Sequence, residues 1–177
     1  NKYMYVVSGG QYVEEINKAT YCDTSSGVPC ASGKQYYGRG PIQLSWNYNY
    51  KAAGDAIGFD GINNPGIVAS DPAISFKTAV WAWMNGGSPT CHNAMVNGIG
   101  FGATIQAING GLECGSNPPN PTGRQSRIAF YKSFCSTLGV DPDQISLVKY
   151  LRVDGLWMDP NSSWLIIDLS MIYSQLL

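Results

Sequence analysis

This sequence is poor in histidine and in charged residues. Its 177 residues include one histidine, His92, and only 13% charged residues, with a net charge of −1 at pH 7. Serine and cysteine triads use a histidine base that is not a chain neighbour of the nucleophile, and Cys91 is directly beside His92, so such triads are poorly supported. The near-neutral charge gives no reason to expect nucleic acid or an anionic membrane as a partner.

Cofactor-binding motifs are also missing. The segment GRGPIQ lacks the third glycine of a dinucleotide loop, and no phosphate-binding GK[ST] motif occurs. A zinc site is disfavoured because the chain has one histidine and no second cysteine pair with ligand spacing. No apolar run is long enough to span a bilayer. We therefore expect no cofactor, no metal and no membrane partner, and a monomeric protein.

The five cysteines are many for a cytosolic protein. Cys22 and Cys30 enclose a short polar loop, which predicts a disulfide and a secreted, extracellular protein. The alternative is a reduced pair in a cytosolic loop. No signal peptide is recognisable in the chain. The other three cysteines leave an odd count, and their pairing stays open: Cys91, Cys114 and Cys135.

Aromatic and amide side chains concentrate in one stretch, Tyr36–Tyr50, called the central segment below. Its sequence is YYGRGPIQLSWNYNY, with four tyrosines and one tryptophan set among neutral polar groups. Glycines on either side of Arg39, followed by Pro41, predict a turn. Pyranose rings have apolar faces that stack on aromatic rings and hydroxyls that need donors and acceptors, so the segment suits sugar binding. The alternative is an aromatic core strand with a polar outer face.

Helical periodicity and glycine stops predict a mainly α, loop-rich fold. We predict one short turn within residues 63–72, loops over residues 87–102 and 111–123, and helices over residues 47–57, 72–85, 101–110 and 124–138. Asp71 and Pro72 form the start of the second helix. Residues 146–177 differ in style, with an apolar run that suggests an extra packed helix.

The available chemistry is that of carboxylates. The chain has three glutamates, Glu14, Glu15 and Glu113, and glycoside hydrolysis needs one carboxylic acid and one carboxylate. Each glutamate could equally be a solvated surface charge. Lys77 is the only charge in a long apolar helix, so it either extends to solvent or reaches a site.

Several long motifs, in order, carry a family resemblance. The central segment, SFKTAVWAWM, GFGATIQAINGGLECG and SRIAFYKSFCSTLGVDP together resemble plant-type chitinases of glycoside hydrolase family 19, most closely their class IV branch. The resemblance covers roughly residues 11–143. It implies a mainly helical, lysozyme-like fold of two lobes with a long cleft. It also implies hydrolysis of chitin and chitooligosaccharides, which are β-1,4-linked N-acetylglucosamine chains, with inversion and without a cofactor.

The resemblance also implies roles for particular residues. Glu15 matches the general base that activates water, and Ser45 matches the serine that helps to hold that water. Nearby cations would keep such a base ionised. For Lys77 and Glu113 the resemblance favours the cleft over the surface. The matched substrate-binding positions are Gln43, Tyr48, Asn49, Lys77, Asn109, Glu113 and Arg127.

The chain departs from the family pattern at several places. The family's general acid lies about nine residues before the base, where this chain has Val6, and no carboxylate precedes Glu14. Val28 replaces the usual tryptophan, and the final cysteine that would pair with Cys114 is missing. We therefore predict a chitinase catalytic domain in residues 1–145, truncated at its N-terminus, and an atypical tail in residues 146–177. The alternative is a silent, chitin-binding relative; a muramidase is disfavoured by the central segment.

Overall fold

The computed structural model describes residues 13–140 and Pro142. These residues form two compact units, one ending at Ala82 and the other beginning at Trp83. The described part is helical and contains no regular strand, only isolated bridges in the first unit. None of its helices has the length and apolar character needed to cross a membrane. The predicted tail over residues 146–177, and the domain boundary before it, lie outside the described residues.

The helices of the first unit follow the predicted bounds. The unit contains a short 3-10 helix, Thr24–Ser26, then α1, Asn47–Ile57, and α2, Ile67–Ser70, and most of α3, Pro72–Asn85. Gly58 ends α1 in the left-handed conformation, as predicted. The Asp71 carboxylate accepts hydrogen bonds from the backbone N–H groups of Ala73 and Ile74, so it caps α3.

The core of the first unit is built largely from the central segment. The buried side chains of this core pack with half-buried apolar residues from the surrounding loops and helices. The buried side chains are Tyr36, Leu44 and Tyr50 of the central segment, with Ala53 and Val68. The predicted disulfide is confirmed, because the Sγ atoms of Cys22 and Cys30 are bonded. The bridge joins two cysteines eight positions apart, and Cys30 packs against this core.

The helices of the second unit differ from the prediction. The expected loop over residues 87–102 contains α4, Cys91–Val96, because the Thr90 hydroxyl caps the N–H of Asn93 while Cys91 and Ala94 are buried on one face. The predicted loop was therefore wrong over these six residues. Glycine content there suggested a loop, but a single buried turn of helix needs only one cap and one apolar face.

The other two helices are longer than predicted. α5 runs over Phe101–Glu113 with a kink at Asn109, so Gly110 follows a kink and does not end the helix. α6 runs over Pro121–Leu138 and begins three residues before Arg124, because Asn120 caps it and Pro121 occupies its first turn. Gly139 ends it as predicted. The predicted loop over 111–123 is thus shortened at both ends.

The core of the second unit joins α5 to both of its neighbours along the chain. Phe101 of α5 stacks on Tyr131 of α6 with ring centroids 4.2 Å apart. The Cys91 thiol of α4 contacts the carbonyl oxygen of Thr104. Burial raises the pKa of this thiol to about 12, so Cys91 stays protonated and unreactive at neutral pH.

Candidate functional site

The central segment makes a tight reversal. Backbone hydrogen bonds join Arg39 and Leu44 in both directions, at 3.3 and 2.9 Å, and the four residues between them form the turn. Gly40 has φ +70°, and a Cβ there would lie 2.8 Å from the Ser75 hydroxyl oxygen, so only glycine fits. The predicted turn is confirmed, and the alternative of an aromatic core strand with a polar outer face is wrong, because the turn leads into α1 at Asn47.

Three of the five aromatic side chains in this segment belong to the core. Tyr36, Tyr37 and Tyr50 are buried, and the Tyr50 hydroxyl donates to the carbonyl oxygen of Tyr37. Trp46 and Tyr48 are the aromatic residues that reach solvent. The segment is therefore both a core element and an exposed aromatic and amide surface.

Arg39 is a buried charge at the start of this turn. Its guanidinium lies 3.7 Å from the centroid of the Tyr37 ring, and its Nη1 donates to the Tyr50 hydroxyl at 3.0 Å and to the carbonyl oxygen of Gln35 at 2.9 Å. Its Nε donates to the Glu14 carboxylate at 3.3 Å. Since a buried cation needs a partner, Glu14 has a structural role as the counter-charge of Arg39.

Glu14 is held by three donors. Its carboxylate accepts hydrogen bonds from Lys18, Tyr37 and Arg39. The hydrogen bond from Lys18, followed by those from Tyr37 and Arg39, holds the pKa of Glu14 below its ordinary value, although partial burial opposes them. Its oxygens are thus occupied by the protein itself.

Glu14 is expected to stabilise the fold only above about pH 4. The pKa of Glu14 is lower in the folded protein than in the unfolded chain, so the unfolded chain binds the proton more readily. The stabilisation is therefore lost as the pH falls through the lowered pKa of the folded state. The thermal midpoint of the native protein should exceed that of Glu14→Gln at pH 7, and the difference should shrink on acidification. Asp55→Asn, in an exposed pair with Lys51, is the control. A difference constant from pH 7 to about pH 3 would contradict the expectation.

Glu15 has a different environment from its neighbour. Its Oε1 accepts a hydrogen bond from the Tyr21 hydroxyl at 2.7 Å, and its Oε2 accepts one from the backbone N–H of Gly38 at 3.0 Å. Its own N–H donates to the carbonyl oxygen of Gly38 at 2.8 Å. The carboxylate is half-buried and has no cationic partner among the described residues. It is therefore oriented by neutral donors and retains free lone pairs.

The polar side chains of the central segment donate hydrogen bonds to backbone carbonyl groups of the same segment. The Ser45 hydroxyl donates to the carbonyl oxygen of Gln43 at 2.8 Å, and the Asn49 amide donates to the carbonyl oxygen of Ser45 at 3.0 Å. The Gln43 amide donates to the carbonyl oxygen of Gly40 at 3.0 Å. Together with Tyr48 these side chains are half-buried in the first unit, the unit that also holds Glu15.

Three other predicted site residues form one network in the second unit. Glu113 is 1% exposed. Arg127 donates two hydrogen bonds to its carboxylate, from Nε to Oε2 at 2.7 Å and from Nη2 to Oε1 at 3.0 Å. The Asn109 amide donates to the same carboxylate at 2.7 Å, across the kink of α5. Glu113 is therefore a buried ion-pair partner that fixes Arg127 and Asn109.

Lys77 is the predicted site residue with the fewest contacts. It is exposed on α3 and makes no hydrogen bond or ion pair with the part of the chain that the structure describes. The resemblance places Lys77 in the substrate cleft, and that role stays a prediction.

Comparison with known sequences decides the family. The glycoside hydrolase 19 profile, described as chitinase class I, matches residues 5–146. The chain belongs to glycoside hydrolase family 19. It is 53% identical to rice Chitinase 6 over 134 residues, which are 74% of this chain and 47% of that protein. It is also 53% identical to maize Endochitinase B, over 74% of this chain and 44% of that protein. The chain thus spans about half the length of these relatives.

Solved family 19 structures confirm the fold class. The class IV chitinase from Zea mays aligns with a TM-score of 0.66 and 53% identity, over 75% of this chain and 62% of that one. Chitinase C from Streptomyces griseus HUT6037 aligns with the same TM-score and 51% identity, over 72% and 64%. The predicted mainly α, lysozyme-like fold is therefore correct.

Two residues that bind the candidate glutamates escaped the sequence analysis as partners. Tyr21 donates to Glu15, which raises the pKa of the tyrosine, and partial burial adds to the effect. Arg39 is the buried cation of the turn. The only sequence signals were that Tyr21 precedes Cys22 and that Arg39 lies between two glycines, and neither signal indicates a partner.

Proposed function

We propose that this protein is an endochitinase that hydrolyses β-1,4-linked N-acetylglucosamine polymers with inversion at the anomeric carbon. The observation that carries the proposal is the Glu15 carboxylate, which is half-buried, oriented by Tyr21 and Gly38, and free of any cation within the described residues. The relatives named as chitinases and endochitinases support the substrate class.

In this proposal Glu15 is the general base. As a water molecule attacks the anomeric carbon, one of its protons passes to Glu15. The departing glycosidic oxygen needs a proton from a second group on the opposite face, and the family's position for that acid is occupied by Val6 in this chain. The Ser45 hydroxyl, whose proton is directed to the Gln43 carbonyl, can accept a hydrogen bond from that water. The Tyr21 and Gly38 donors hold the carboxylate in position without neutralising it.

The remaining predicted residues bind the polymer. We infer that Gln43, Tyr48 and Asn49 contact hydroxyl and acetamido groups from the first unit, with Lys77 as a further donor. Glu113 is buried and acts through Arg127 and Asn109, which it holds in a single orientation. A neutral amide-rich polymer suits a chain of net charge −1. Secretion, expected from the disulfide, would bring the protein to chitin outside the cell.

A second candidate is a protein that binds chitin without cleaving it. The observation that favours it is Val6, which stands nine residues before Glu15, where the family pattern places its acid. A missing general acid removes about 10²–10⁴-fold of rate. The binding surface of the central segment would remain.

Incubation with chitohexaose separates the two candidates. The products are followed by chromatography that resolves anomers, and binding is measured on the same chain by calorimetry. Release of α-anomeric products supports the inverting hydrolase. Binding without turnover selects the second candidate, and neither binding nor turnover contradicts both.

A further inference from the structure

Trp46 is the aromatic residue of the central segment with the most exposed side chain. It is 39% exposed, whereas Tyr36, Tyr37 and Tyr50 are 6% exposed or less. Single exposed apolar side chains are common on protein surfaces. The position of Trp46 matters because its ring is exposed on the same segment that carries Gln43, Ser45, Tyr48 and Asn49.

The backbone of Trp46 is strained. Its φ of +75° lies in the region that favours glycine and that bulky residues rarely adopt. Hydrogen bonds pin the residue on both sides, because its N–H donates to the carbonyl oxygen of Tyr36 and its own carbonyl accepts from Asn49 and Tyr50. Strain retained against such constraints is typical of functional sites.

Strain of this kind clusters around the candidate site. Within the described residues, the other non-glycine residues with positive φ are Tyr21 and Gln43. Tyr21 donates to Glu15, and Gln43 accepts the Ser45 hydroxyl. The three strained residues thus orient the proposed base, the proposed water-holding serine and one exposed indole.

Neighbouring rings hold the indole in place. The Tyr21 ring meets it edge-on with centroids 5.1 Å apart, and the Tyr48 ring is nearly parallel to it at 6.1 Å. The hydroxyl of the same Tyr21 donates a hydrogen bond to Glu15, so a single side chain, that of Tyr21, links the indole to the proposed base. The side chains of Ser45, one residue before Trp46, and of Asn49, three residues after it, can pair with hydroxyl or amide groups.

We infer that the indole of Trp46 is a stacking surface for one N-acetylglucosamine ring of the bound polymer, beside Glu15. The apolar face of the pyranose would cover the exposed ring, and the polar neighbours would receive its substituents. The inference rests on the proposed function. It identifies one exposed ring, rather than the whole aromatic segment, as the sugar-stacking element.

The first test is direct observation of the ring. The full chain is labelled with 5-fluorotryptophan, which gives one ¹⁹F resonance for each of its five tryptophans, and the signal missing from Trp46→Phe is assigned to Trp46. On titration with chitohexaose we expect this resonance to shift in step with binding. Binding that leaves the resonance in place overturns the inference and leaves the proposed function intact.

The second test is affinity. Trp46→Ala should weaken chitohexaose binding about 3- to 10-fold, and Trp46→Phe should retain most of the affinity because it keeps an aromatic face. Leu138→Ala, at the exposed end of α6, is the control. Circular dichroism verifies folding, and if the alanine variant fails to fold, the phenylalanine variant and the labelled native chain still decide. Equal affinity for Trp46→Ala overturns the inference, and a native chain that binds no oligomer overturns it together with the proposed function.

Discussion

Replacing Arg127 with methionine is expected to lower the free energy of unfolding by about 3–5 kcal/mol. Arg127 supplies two hydrogen bonds to Glu113, which is 1% exposed, so its removal leaves a carboxylate buried without its counter-ion. The Asn109 amide, which also donates to this carboxylate, is neutral and cannot balance the charge. Urea denaturation followed by circular dichroism measures the change.

A double variant tests whether the lost charge balance is the cause. In Glu113→Gln/Arg127→Met the buried charge is gone, while the Asn109 amide can still donate to the new side-chain oxygen. Much of the lost stability should therefore return, since a neutral pair of similar volume is often tolerated where a lone charge is not. A double variant no more stable than Arg127→Met would show that packing, not charge, dominates.

Replacing Glu15 with glutamine is expected to lower chitohexaose turnover by about 10²–10⁴-fold while leaving oligomer binding nearly unchanged. The amide has the same shape: its oxygen can accept from the Gly38 N–H while its NH2 group donates to the Tyr21 hydroxyl oxygen, so the site keeps its geometry. It cannot take a proton from water. Product release by chromatography and affinity by calorimetry measure the two effects separately.

Glu14→Gln is the matched control for that variant. It changes the adjacent carboxylate in the same way, but Glu14 is bound to Lys18, Tyr37 and Arg39. Turnover per folded molecule should change little, and the cost should fall on stability, because Arg39 loses its counter-charge. Similar losses of turnover in both variants would contradict the assignment of Glu15 as the base.

The pair Glu14 and Glu15 shows why sequence could only partly predict this site. Sequence indicates that adjacent carboxylates point in different directions, and the family resemblance selects Glu15. It does not reveal that Arg39 binds Glu14 and that Tyr21 binds Glu15, because those contacts join residues 25 and 6 positions apart. Such pairings depend on how the turn packs, which local pattern does not encode.

The helix ends likewise differ in whether a local sequence signal or tertiary packing sets them. Asp71 with Pro72, Gly58 and Gly139 are local caps, and the ends they predict are correct. α4 was missed because one buried face, Cys91 and Ala94, outweighs the many glycines around it. The continuation of α5 to Glu113 coincides with the ion pair to Arg127 in the next helix.

The family, the mainly helical fold, the Cys22–Cys30 disulfide and the turn after Arg39 are predictable from the sequence, since they depend on motifs, periodicity and local backbone preferences. Which aromatic rings of the central segment are buried and which reach solvent is visible only in the folded protein, because burial depends on packing between distant segments. It also decided that Glu113 is an internal ion-pair partner. Charge and ring exposure are properties of the surroundings, and those surroundings exist only once the chain has folded.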